Sequence, residues 1–276
     1  MKRLTLKSWC CAALMLMLAG FAQAEPRIPV LASFSILGDL VQVVGAARVQ
    51  VTTLVGPNAD THAYEPRPAD AKLVLVSRLF VINGLNFEPW AEKLAQSAGY
   101  RGELVRASSG IQPRLRASEY GPQETDPHAW QNPENVVVYV RNIAAALSRL
   151  DPAGAATYRA NADAYVIQLR ALDNWAKSEL SALTPQQRRV ITSHDAFGYF
   201  ADHYQVRFLA PQGINADSEP SAKAIGQLIR QIQRERIRAV FMENMLNPQL
   251  LTQIARDTGV QLGERLYVDA LSASHE

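Results

Sequence analysis

One feature limits this chain more than any other: an alternation that stops and then restarts. Through the first half, the strand-length apolar runs "IPVLASF", "RVQVTTLV", "LFVIN" and "ELVRAS" alternate with helix-length amphipathic segments. After a gap, "RRVITSH", "VRFLAP", "RAVFMEN" and "VQLGERLYVDAL" take the pattern up again. Near-continuous apolar strands separated by amphipathic helices predict parallel sheets covered on both faces. In the gap, Tyr158, Ala162, Tyr165, Leu169, Leu172 and Trp175 recur at three-to-four spacing, which predicts one helix over about 154–183. At 1.5 Å per residue its length is about 45 Å, enough to cross the whole molecule. The expected architecture is α/β, with two lobes that are each a parallel sheet flanked by helices, joined by one long backbone helix. The lobes fall at 25–150 and 184–276, with the linking helix at 151–183. Residues 108–127 read as a long polar loop, and Asn132 followed by Pro133 as the cap and first turn of a helix.

The N-terminus is a separate piece. Lys2, Arg3 and Lys7 precede an apolar run from Trp9 to Phe21, and Ala22-Gln23-Ala24 follows. A basic start, an apolar middle and a small-x-small end predict a secretory signal at 1–24, cleaved after Ala24. The run is shorter than the ~20 apolar residues of a membrane span. Cys10 and Cys11, the chain's two cysteines, lie inside this segment, so a cleaved chain has no thiol, disulfide or lipid anchor. Cleavage removes three of the 28 basic residues and none of the 26 acidic ones, leaving a formal charge of −1. A near-neutral chain argues against nucleic acid as a partner, because that role needs a concentrated basic footprint. The one dense basic patch, "RQIQRERIR", shares its helix with Leu228, Ile229, Ile232 and Ile237 and reads as a solvated face.

In open α/β sheets, ligands bind beyond the carboxyl ends of the strands. His62, His128, His194 and Asp269 fall there, two from each lobe, which places them across the crevice between the lobes. Three imidazoles and one carboxylate suit a four-coordinate first-row metal, zinc first among them. A lone loop histidine is more often a hydrogen-bonded polar residue, so spacing alone leaves that reading open. Asp60 and Asp126 each stand two residues before a histidine, where they can close an Asx turn or orient the imidazole. Trp130 and Phe197 are candidates for excluding water from the metal, with ordinary core packing as the competing role. His203 reads as a surface residue, and His275 has no supporting context.

The segments "GPNADTHAYEPRPAD", "DPHAWQNPEN", "ITSHDAFGYFADHY", "GINADSEPSAKAI" and "LYVDALS" resemble the metal-binding extracytoplasmic solute-binding proteins of ABC importers. That family delivers zinc or manganese to a permease. The resemblance covers nearly all of the chain after residue 24. It implies two α/β lobes joined by a long helix, with metal buried between them on His62, His128, His194 and Asp269. It further implies a periplasmic monomer that hands its cargo to an ABC permease in the inner membrane, and no enzymatic activity. Manganese-type members carry Glu at the third ligand position. This chain has His194 followed by Asp195, so it resembles the zinc type, with manganese or iron as the alternative cargo. Zinc members often add a histidine- and acid-rich loop, but 108–126 contains no histidine, which argues against an accessory zinc-capture site. Members also usually continue past "DALS" into a further helix. Either this sequence is truncated, or the second lobe lacks its last cover and exposes apolar surface near Leu266 and Leu271.

Two other functions compete. A zinc hydrolase would use His62, His128 and His194 as ligands with Asp269 as base, but neither H-E-x-x-H nor G-x-S-x-G is present. A surface adhesin is a role attached to some members, and nothing in the sequence marks a protein-binding patch.

Overall fold

The computed structural model describes residues 27–116, 123–213 and 221–273. The expected signal at 1–24, its cysteines and His275 lie outside the described residues. The first lobe is built on β1 (Ile28–Phe34), α1 (Ser35–Gly45), β2 (Val49–Val55), α2 (Pro68–Val76), β3 (Leu79–Ile82), α3 (Pro89–Ala98) and β4 (Glu103–Arg106). Its sheet is all parallel, in the order β2-β1-β3-β4. β1 is buried almost end to end, which a strand covered on both faces requires. The helices press close: a Cβ at Gly38 on α1 would stand 2.4 Å from the Thr53 side chain on β2. Gly99 closes α3 in the left-handed conformation at φ 70°, which glycine adopts without steric cost.

The stretch read as a loop at 108–127 is partly ordered: β5 (Arg114–Arg116) and β6 (Glu124–Asp126) pair as an antiparallel hairpin. Alternation this short gives too few residues for a strand period to register. Next comes α4 (Pro133–Leu150), whose Asn132 side chain accepts a hydrogen bond from the Glu134 amide, as expected of the cap. The linking helix, α5 (Ala155–Ser181), runs 27 residues, or about 40 Å. Its expected apolar face holds only halfway. Tyr158, Ala162, Val166 and Leu169 are buried, whereas Leu172 and Trp175 are 50% and 61% exposed. Beyond Leu169 the helix leaves the first lobe's core and is fixed through a polar anchor. Asp173 is buried and accepts from Tyr204 Oη at 2.9 Å, with His203 Nε2 and Lys177 Nζ both 2.6 Å from the carboxylate. His203 is therefore a half-buried contact on the linking helix rather than a surface residue.

The second lobe carries β7 (Arg189–Ile191), α6 (Gly198–Tyr204), β8 (Arg207–Leu209), α7 (Ala222–Glu235), β9 (Ala239–Val240), α8 (Gln249–Thr258) and β10 (Gln261–Leu262). Its parallel sheet runs β10-β9-β7-β8. Counted within each lobe, the strand order is the same, although no repeat shows in the sequence. α7 buries Leu228 and Ile232 and leaves its arginines outward, the solvated face expected of the basic patch. The strands here are shorter than the sequence suggested. β7 stops three residues before His194, which joins Gln212 through a single bridge, and the last strand ends at Leu262, well before Asp269. Leu266 packs against the cluster around Phe197, while Leu271 is exposed.

Candidate metal centre

The carboxyl ends of the two sheets face each other, and the loops beyond them bring His62, His128, His194 and Asp269 together. One ligand atom from each lies within 4.8 Å of all the others. His128 Nε2 is 3.2 Å from His62 Nε2 and 3.4 Å from His194 Nε2. The Asp269 carboxylate is 3.2 Å from His194 Nε2, 3.4 Å from His62 Nε2 and 3.7 Å from His128 Nε2. Ligand bonds of 2.0–2.1 Å around a tetrahedral ion put donor atoms about 3.3–3.4 Å apart, close to the His62–His128, His128–His194, His62–Asp269 and His194–Asp269 separations. The side chains are almost completely buried.

Asp269 carries the strongest argument. Both its oxygens are buried, and neither accepts a hydrogen bond among the described residues. Its polar neighbours there are imidazole nitrogens. A desolvated carboxylate is costly unless it is paired or holds a cation. Burial works against ionisation of Asp269, but the His128 and His194 rings outweigh it and hold the carboxyl well below its usual range. Burial likewise disfavours charge on both rings. The carboxylates of Asp269 and Glu243 nevertheless raise His194 well above its ordinary value, and those of Asp269 and Asp126 raise His128.

Each histidine is aimed. The His62 amide donates to Asp60 Oδ1 at 2.8 Å, and the His128 amide to Asp126 Oδ1 at 3.0 Å, so both aspartates close Asx turns. Asp126 plays both expected roles, because its Oδ1 also stands 2.9 Å from His128 Nδ1. Glu243, just past β9, is a contact that the sequence reading missed. It accepts from the Ser193 amide at 2.8 Å and the His194 amide at 3.1 Å, and its other oxygen is 2.5 Å from His194 Nδ1. A carboxylate at Nδ1 fixes the proton there and leaves Nε2 as a free donor atom. The available signal was an acid at a strand's carboxyl end in the half of the chain where His194 needs a partner.

Aromatic rings exclude water. Phe87 meets His62 edge-on at 4.6 Å, and Trp130 lies 5.3 Å from His128 while its Nε1 donates across the lobes to Val268 O at 2.9 Å. Among the described residues Phe197 makes no ring contact with the imidazoles; it stacks on Phe208 within the second lobe, so its packing role is the one realised.

Beneath His128 lies a second buried network. Asn83 donates to Pro127 O at 3.0 Å and accepts from Tyr139 Oη. Glu88 accepts from Ser33 Oγ at 2.7 Å and from the Asn83 amide at 2.5 Å. Burial pushes the Glu88 carboxyl up from 4.5 to about 7. An unfolded chain ionises Glu88 near pH 4.5, whereas the folded one holds the proton to about 7. The stability this contributes is complete below the lower value and is lost as pH rises through the upper one. The loss amounts to about 3 kcal/mol at 1.36 kcal/mol per unit. Glu88→Gln is expected to remove that part of the fall. Denaturant unfolding of the metal-free variant and wild type at pH 5 and pH 8 checks it.

The family model described as zinc-uptake complex component A, periplasmic, matches residues 30–276. The iron-binding protein YfeA of Yersinia pestis is 34% identical over 247 residues, covering 89% of this chain and 79% of that protein. The manganese-binding lipoprotein MntA of Halalkalibacterium halodurans is 31% identical over 252 residues, covering 91% and 83%. Among solved structures, the manganese-bound periplasmic metal-binding protein of Candidatus Liberibacter asiaticus superposes with a TM-score of 0.79 at 30% identity, covering 91% of this chain and 92% of that one. The periplasmic zinc-binding protein TroA of Treponema pallidum shares the fold, with a TM-score of 0.85 at 24% identity over 91% and 92%.

Proposed function

The chain belongs to the zinc-uptake complex component A periplasmic family, and from that premise we propose that its cargo is zinc, held by His62, His128, His194 and Asp269. It is a substrate-binding protein of an ABC metal importer rather than an enzyme, and it works outside the cytoplasm. Export through a cleaved signal at 1–24, residence in the periplasm as a monomer, and lobe boundaries near 150 and 184 complete the proposal.

The observation that carries it is the donor set: three imidazole nitrogens and one otherwise unpartnered buried carboxylate, gathered within 4.8 Å of one another. Imidazole favours zinc over harder ions, and a carboxylate-richer site suits manganese better. The relatives' names include iron and manganese, so the same pocket with either ion is the second reading. Metal content by plasma mass spectrometry, on protein purified without added metal, decides between them. One zinc per chain is expected; stoichiometric manganese or iron overturns the zinc reading.

Capture is also expected to release protons. Metal needs neutral imidazoles, and His194 and His128 hold protons above their ordinary range while Asp269 is already ionised. Apparent affinity should rise with pH through neutrality, by roughly tenfold per unit for each proton displaced. Calorimetric titration in buffers of different ionisation enthalpy counts those protons, and a count of zero contradicts the ligand set.

A further inference from the structure

The β5–β6 hairpin does more than deliver His128. It belongs to the first lobe's half of the chain, yet its partners lie on the second lobe. The Arg114 amide donates to Tyr199 Oη at 2.9 Å, and that hydroxyl donates to Asp126 O at 3.2 Å. Arg116 pairs with Asp195, the neighbour of His194, at 2.6 Å. The Arg114 guanidinium divides itself between the lobes. Its Nε meets Asp202 on α6 at 2.8 Å, and its Nη1 reaches Asp126 Oδ2 at 3.4 Å. The other oxygen of Asp126 is the one held by His128 Nδ1. A continuous polar chain thus runs from α6 of the second lobe to the imidazole of the first.

The packing around this chain leaves no slack. A Cβ at Gly198, the first residue of α6, would stand 2.3 Å from Asp126 Oδ2 and 2.4 Å from Arg114 Nη1. Glycine there lets the helix start lie directly against the guanidinium–carboxylate contact. Asp126 is buried, whereas Arg114 is 30% and Asp202 68% exposed, so the outer end of the chain is open to salt and the inner end is not.

We propose that Arg114 is a positioning residue for metal retention: it presses Asp126 against His128 while gripping Asp202, so that bringing the lobes together and aiming the imidazole are one event. Parting the lobes at α6 strips Arg114 from Asp202, and the guanidinium, anchored at one end only, then holds Asp126 less firmly behind the His128 imidazole. This inference rests on His128 being a metal ligand.

Zinc release, chased with a chromogenic chelator at low and high ionic strength, tests it on the full protein. Arg114→Met is expected to speed release by about tenfold, the low end of what loss of a ligand's outer support costs. Asp202→Asn, an exposed change that spares folding, should speed release in part and remove most of its salt dependence. Arg114→Lys should restore salt dependence and part of the retention, and the double variant should release no faster than Arg114→Met alone. A purely structural role would instead lower the metal-free melting temperature of both Arg114 variants alike and leave the salt profiles parallel. Wild-type release rates in Arg114→Met and Asp202→Asn, or independent addition of their effects, overturn the inference while leaving the ligand set intact. Failure of the wild type to hold zinc is instead a failure of the proposed cargo.

Discussion

His194→Ala is expected to lose more than a hundredfold in zinc affinity. Structural zinc sites bind with about 10–16 kcal/mol spread over four ligands, so one ligand accounts for about 3 kcal/mol or more. His194 is also the donor least easily replaced. It is completely buried, it touches Asp269 and His128, and the carboxylate behind it, Glu243, meets no other polar side chain among the described residues. Water entering the space cannot restore the imidazole's fixed aim. Competition titration against a calibrated chelator measures the loss, and affinity unchanged within threefold would refute His194 as a ligand. The metal-free protein is expected to be weakened as well, because Glu243 and Asp269 are left buried with less positive charge beside them. Melting curves with and without metal separate the two effects.

Glu243→Gln is expected to cost between about ten- and a hundredfold in affinity with little change in fold. The amide oxygen can still accept from the Ser193 and His194 backbone amides, which preserves the loop. The amide nitrogen, however, then faces His194 Nδ1 where a carboxylate oxygen stood. Two donors cannot meet, so the imidazole must move its proton to Nε2, and an Nε2–H cannot bind metal. Glu243→Ala should be worse in a different way. It strands two buried backbone amides at about 1–3 kcal/mol each and lowers stability before any metal is added. A Gln variant with full affinity would mean that the tautomer is set elsewhere.

The contrast between His194 and Glu243 shows where the sequence was legible. The three histidines stand out because imidazoles are scarce in this chain, and all four ligands because they follow the apolar runs that end at the crevice, although the strands themselves stop short of His194 and Asp269. Glu243 has no such contrast; a glutamate in "FMEN" looks like any solvated acid until the fold buries it. The parallel sheets were readable from continuous apolar runs, since burial on both faces leaves no room for alternation. The second half of α5 was not. Leu172 and Trp175 keep the helical period yet face outward, because what fixes that half is Asp173, a polar anchor invisible to an apolar count. The β5–β6 hairpin escaped notice for a related reason. Its role comes from cross-lobe pairs such as Arg114 with Asp202, whose members are 88 residues apart in the chain.

His62 and Asp269 stand 207 positions apart, with His128 and His194 between them. No short segment of the chain holds more than one of the four donors, and no local hairpin or helix can assemble the set early. An unfinished polypeptide therefore competes poorly for metal, and tight loading begins only when the last segment, carrying Asp269, has docked against the first lobe. Occupancy becomes a mark of completed folding: molecules that stall midway hold the ion weakly, and those that bind it tightly are held in the native state by the mass action of the ion itself.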